Sequence, residues 1–91
     1  MSDRGRQPID LNEVQSMLEL ASRQLCNPDD RIVVELVDLA EKSLFIIRST
    51  RPGAVIGKQG RTVKALREVV ASMGQRAGHE IGIEVANQPL S

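Results

Sequence analysis

Ninety-one residues of ordinary apolar content make one small domain, with enough chain for a core and little to spare. Twelve basic and twelve acidic residues cancel to a formal net charge of zero, and no apolar run is long enough to cross a membrane. A lone Cys26 argues against a disulfide-stapled secreted domain and the polar start lacks a signal-peptide core, so the expected location is the cytoplasm, without membrane insertion.

Residues 1–9 have no periodicity and are expected to form a flexible leader. Asp10 then offers an N-cap, with Glu13 three residues on completing a capping-box-like pair. Leu11, Val14, Leu18, Ala21 and Leu25 fall on one face, which predicts an amphipathic helix over 11–25. Asn27-Pro28 ends it, because the residue before proline avoids the α region. Asp29 and Asp30 fill a turn. Arg31 to Asp38, rich in Val, Ile and Leu, predicts a strand. After a short connection at Ala40 to Lys42, Ser43 to Ser49 predicts a second, and the close link makes them an antiparallel hairpin. Leu44-Phe45-Ile46-Ile47 is apolar on both faces, as an inner strand covered by helices on one side would be.

Pro52 suits the first turn of a helix, where its missing N–H costs nothing, and that helix has room for only about one turn before Gly57. After Gly60 a longer helix is predicted from Arg61 to about Met73, burying Val63, Leu66, Val70 and Met73, with Gly74 as its left-handed C-terminal cap. Glu80 to Val85 alternates strictly, with Ile81, Ile83 and Val85 inward. The tail, 87–91, is expected to be flexible. The order predicts an α+β domain over residues 10–86: a three-stranded sheet packed on one face by three helices.

Charge is segregated along this chain. Between Arg48 and Arg76 lie seven basic residues and only Glu68 as an acid, a local +6, balanced by −6 elsewhere. At the centre of the basic segment stands Val55-Ile56-Gly57-Lys58-Gln59-Gly60. Glycines let another backbone approach closely, and the unpaired amides of the following helix start carry partial positive charge. Lys58 and Arg61 add two cations there, so a phosphate is the natural guest.

A G-x-x-G joining two helices, within the wider pattern V-I-G-K-Q-G-R-T-V, resembles the KH nucleic-acid-binding domain. A helix and strand placed before the core resemble its type II arrangement. The span from Leu11 to Val85, with its N-P-D-D turn, is similar to the small bacterial single-KH-domain RNA-binding proteins of the KhpA type. Only Thr50 to Ala54 precede Val55, fewer residues than such proteins usually carry, so the first core helix should be short.

The resemblance implies that Gly57, Lys58, Gln59 and Gly60 clamp the backbone of about four unpaired nucleotides of single-stranded RNA. Lys58 and Arg61 would contact phosphates. Ile56 and Val63 are either apolar contacts for bases or ordinary core. Lys64 and Arg67 either reach the RNA or are simply solvated, and Lys64 can also pair with Glu68. The resemblance further implies an RNA chaperone or post-transcriptional regulator tied to growth and envelope control. Such proteins self-associate or pair with a larger KH-domain RNA-binding protein of the KhpB (Jag) type. A competing reading is a ribosome-assembly or protein-interaction adaptor, for which Asp29, Asp30, Glu35, Asp38 and Glu41 would face a basic protein.

Other chemistry finds no support in the residues. The P-loop spacing and its Ser or Thr after Lys are missing. Cys26 and His79 are too isolated to bind metal; Cys26 reads as a small core residue and His79 as an exposed turn residue that the fold could bring near RNA. No catalytic set can be assembled around a single histidine, and no cofactor is implied. Phe45 is the only aromatic residue, which disfavours stacking platforms of the RRM and OB type and predicts modest affinity and low base selectivity.

Overall fold

The computed structural model describes residues 9–90; apart from Ile9, the expected leader lies outside the described residues, as does Ser91 of the tail. Helix α1 spans Leu11–Leu25, with the Asp10 carboxylate accepting the Asn12 N–H at 2.9 Å. The Glu13 N–H bonds the Asp10 main-chain carbonyl at 3.0 Å and no side-chain bond joins the two among the described residues, so the expected capping box is not formed. Val14, Leu18 and Ser22 form the buried stripe. Leu25, expected on that stripe, is 40% exposed. It is the last helical residue, and Cys26 turns toward the core instead, its Sγ 3.6 Å from Ser49 Oγ.

Strands β1 (Ile32–Asp38) and β2 (Lys42–Ser49) pair antiparallel, from Ile32 opposite Ser49 to Asp38 opposite Ser43. The Gln15 amide donates to the Val34 carbonyl at 2.7 Å, tying α1 to the edge strand. After β2 come the five-residue helix α2 (Pro52–Ile56), with Pro52 at its start, and the long helix α3 (Arg61–Ala77). Strand β3 (Glu80–Val85) then lies parallel to β2, which is the middle strand of the order β1-β2-β3.

Alternation on β2 places Phe45 and Ile47 wholly inside, in one core with Val14 and Leu18 of α1 and Ile32 and Val34 of β1. Val55 of α2, Val70 of α3, and Ile81 and Ile83 of β3 complete the same core. Complete burial of a side chain such as Phe45 contributes roughly 1.5–3 kcal/mol. Three helices thus pack one sheet face, as predicted, and α2 is as short as its five residues allow.

The end of α3 departs from the prediction. The helix continues four residues past Met73, and its left-handed cap is Gly78 at φ 69°. Gly74 is buried within the helix, where a side chain would overlap the His79 carbonyl and crowd Ile81 at 3.0 Å. Its glycine serves close approach between helix and strand rather than a change of direction.

Candidate nucleic-acid interface

Helix α2 stops where Gly57 leaves helical space at φ 80°, ψ 172°, a conformation almost confined to glycine. Its N–H still closes the last turn on the Gly53 carbonyl at 2.9 Å. A Cβ here would also run into the Thr62 side chain, so two independent constraints demand glycine. Lys58–Gly60 forms one 3₁₀ turn, with the Gly60 N–H donating to Gly57 O at 3.1 Å. Gly60 is left-handed at φ 74°, and so is Gln59 at φ 58°, the one non-glycine residue with positive φ among those described. That conformation costs a residue with a Cβ about 1–2 kcal/mol, and here it turns the Lys58 and Gln59 side chains out to solvent.

Among the described residues no side chain caps the start of α3, and no acid lies in its first turn, so none of them compensates the positive end of its dipole. Arg61 is exposed, its Nη2 only loosely held by Gln59 Oε1 at 3.4 Å. Lys64 is exposed and makes no ion pair with Glu68 among the described residues. By contrast, Arg48 pairs with Glu35 at 2.7 Å and Arg51 with Asp30 at 3.2 Å. With Arg48 and Arg51 paired, and Arg67 and Arg76 farther along α3, the cations that stand at the loop are Lys58, Arg61 and Lys64.

Asp30 braces the entry to α2. Its carboxylate accepts the Thr50 hydroxyl at 2.8 Å and the Asn27 N–H at 2.9 Å as well as the Arg51 guanidinium. The Thr50 hydroxyl, chiefly, and the Asn27 amide hold its pKa below the ordinary 3.8.

Gly60, Val63, Lys64, Arg67, Glu68 and Ala71 line a groove of about 560 Å³ on the flank of α3. A second hollow of about 590 Å³, sharing Glu68 and Ala71, continues past Ser72 and Gln75 to Gly78, His79, Glu80 and Ile81. The groove is thus cationic at the glycine loop and acidic at its far end. Val63 belongs to the core at 8% exposure while lining the groove, and Ile56 is half-buried against the same core. Both alternatives left open for Val63 thus describe one side chain. Arg67 is not freely solvated: its Nε donates to the Ile83 carbonyl at 3.3 Å.

His79 is not an exposed turn residue. It is half-buried, with Nε2 2.8 Å from Ser43 Oγ, which donates to Asp38 Oδ1 at 2.8 Å. A carboxylate only accepts, so the serine proton belongs to Asp38 and His79 is the donor. Ser43 is 2% exposed, so its hydroxyl serves this buried link between Asp38 and His79 and does not face solvent. No cluster of three metal-ligating side chains occurs among the described residues. Thr62 and Asp30 escaped the sequence reading because their parts in the site depend on distant backbone; the V-I-G-K-Q-G-R-T-V pattern does contain Thr62.

A family model described as a KH domain matches residues 19–87, enclosing the whole loop and groove. The chain is similar to the RNA-binding protein KhpA of Aquifex aeolicus (strain VF5), 30% identical over 78 residues that cover 82% of this chain and 98% of the relative. It is also similar to the RNA-binding protein KhpA of Bacillus subtilis (strain 168), 35% identical over 60 residues, or 65% of this chain and 74% of the relative.

Proposed function

The chain belongs to the KH domain family, of the KhpA type, and from that premise we propose that it is a non-catalytic protein that binds single-stranded RNA by its backbone. The binding unit is the domain over 10–86, acting in the cytoplasm without a cofactor. Phosphates are held by Gly57, Lys58, Gln59, Gly60, Arg61 and Lys64, while Ile56 and Val63 offer apolar contact to bases. One observation carries this reading: a helix start uncapped and three cations unpaired among the described residues, with a loop of left-handed residues, converge on one exposed spot.

A site for about four nucleotides is small. Self-association, or pairing with a larger KH-domain protein of the KhpB (Jag) type, would multiply weak contacts through effective concentration. Such a complex would serve as an RNA chaperone or post-transcriptional regulator. The adaptor reading has less to stand on. Of the five acids it would turn outward, Asp30, Glu35 and Asp38 are bonded within the chain, leaving Asp29 and Glu41.

The test is a double variant, Lys58→Asp with Gln59→Asp. Aspartate tolerates the left-handed region better than most residues, so the loop is not strained. The expected result is an unchanged circular dichroism spectrum and melt, with RNA retention largely lost in a gel-shift assay. Undiminished retention would sink the proposal.

A further inference from the structure

The sheet face turned away from the helices is not polar, as a solvated face usually is. Its outward positions are Val33, Glu35 and Val37 on β1, Leu44 and Ile46 between Lys42 and Arg48 on β2, and Glu80, Gly82 and Glu84 on β3. The register sets Val37, Leu44 and Gly82 side by side, with Ile46 two residues on along β2. Val33 is 44% exposed and Val37 41%. At Gly82 a Cβ would only touch Leu44 Cδ1 at 3.4 Å, so no crowding demands glycine there. Its effect is a low strip beside the ridge of Leu44 and Ile46. Contiguous exposed apolar surface of this kind is the mark of a protein-docking site.

Edges and charges narrow the occupant. An added strand needs open backbone groups, but a side chain already takes a mid-strand carbonyl on each edge strand: Gln15 on Val34 of β1 and Arg67 on Ile83 of β3. A helix satisfies its own backbone and needs no edge. Arg48 is bonded to Glu35 and Lys42 stands opposite Glu80, whereas Glu84 stands opposite Ile46 and makes no ion pair among the described residues. A cation on the occupant would meet it. A second copy fits less well. Stacked sheets lie nearly aligned, and a two-fold axis centred on Leu44 and Ile46 sets like charges together. Run along the strands, it brings Glu35 over Glu84 of the second copy; run across them, Lys42 over Arg48. We propose that this face docks an amphipathic helix of a partner protein, its apolar stripe on Val37, Leu44 and Ile46 and a lysine or arginine at Glu84. The glycine loop and its groove belong to the helical side of the sheet, so helix and RNA bind at once.

The test titrates the isotopically labelled full chain with a designed helical peptide of leucine and lysine and follows the amide shifts by NMR. A counterpart with glutamate for every lysine is run alongside. The lysine peptide should move the amides of Val37, Leu44, Ile46 and Gly82 and leave Lys58 to Gly60 unmoved. The glutamate peptide should bind at least about tenfold more weakly. Leu44→Thr keeps a strand-forming residue and should weaken the lysine peptide about tenfold with an unchanged melt. Exposed Glu84→Gln should narrow the gap between the two peptides, and it carries the test should Leu44→Thr melt early. Affinity for RNA should be the same with and without the lysine peptide. The proposal is overturned if that peptide does not bind, if it moves the glycine loop or the α3 groove instead, if both peptides bind alike, or if a folded Leu44→Thr binds undiminished. Concentration-dependent self-association abolished by Val37→Thr would seat a second copy on the face and overturn it too.

Discussion

Gly74 lies so close beneath the His79 carbonyl that the hydrogen on its α-carbon occupies the only space a side chain could use. The same turn is closed by the His79 N–H on the Gly74 carbonyl at 2.8 Å, locking the end of α3 to the start of β3.

Gly74→Ala should therefore have the opposite sign from a usual glycine replacement in a helix, which stabilises by about 0.5–1 kcal/mol. Overpacking against rigid backbone should cost about 1–3 kcal/mol, lowering the melting temperature by about 4–8 °C per kcal/mol. Thermal denaturation followed by circular dichroism reads this directly; a raised midpoint would contradict it.

The two loop glycines should differ. Gly57→Ala meets both a glycine-only conformation and the Thr62 side chain, whereas open space surrounds Gly60 and only its φ of 74° resists a Cβ. Gly60→Ala should cost about 1–2 kcal/mol and Gly60→Asn less, with Gly57→Ala the most damaging of the three in urea denaturation.

Asp30 should leave a mark on acid stability. Its folded pKa lies below the unfolded one, so its contribution is present above the ordinary carboxylate range and fades as pH falls through the folded value. The melting-temperature gap between the unsubstituted protein and Asp30→Asn should be widest near neutrality and close below about pH 4. A gap that widens on acidification would reverse this assignment.

RNA affinity should fall steadily with salt. Three phosphates neutralised by Lys58, Arg61 and Lys64 imply a slope of about −2 in log K against log salt for a single strand, and Lys58→Gln should flatten it by about 0.7. Anisotropy titrations across ionic strength supply the slope, and a flat line would remove these cations from the interface.

What local chemistry governs was legible in the sequence. Asp10 and Asn27-Pro28 bound α1 at Leu11–Leu25, and strict alternation marks β3 at Glu80–Val85. The end of α3 was not, because Gly74 and Gly78 look alike until the strand approaching Gly74 is in place. Leu25 and His79 misled for a related reason: one lies at a helix end where its neighbour turns inward, the other finds Ser43 across the sheet. The loop is visible in its glycine spacing, but the left-handed Gln59 and the tether from Arg67 to Ile83 depend on the assembled fold.

Parallel pairing of β2 with β3 has a temporal consequence. The loop and both helices flanking it lie within the crossover from Thr50 to His79, so β3, which follows them in the chain, must dock before α3 has a sheet edge to hold. Contacts this distant in sequence form late in folding. A released chain ending at Gly78 would carry every residue of the glycine loop and still be expected to leave RNA unbound, a result that a gel-shift assay would read.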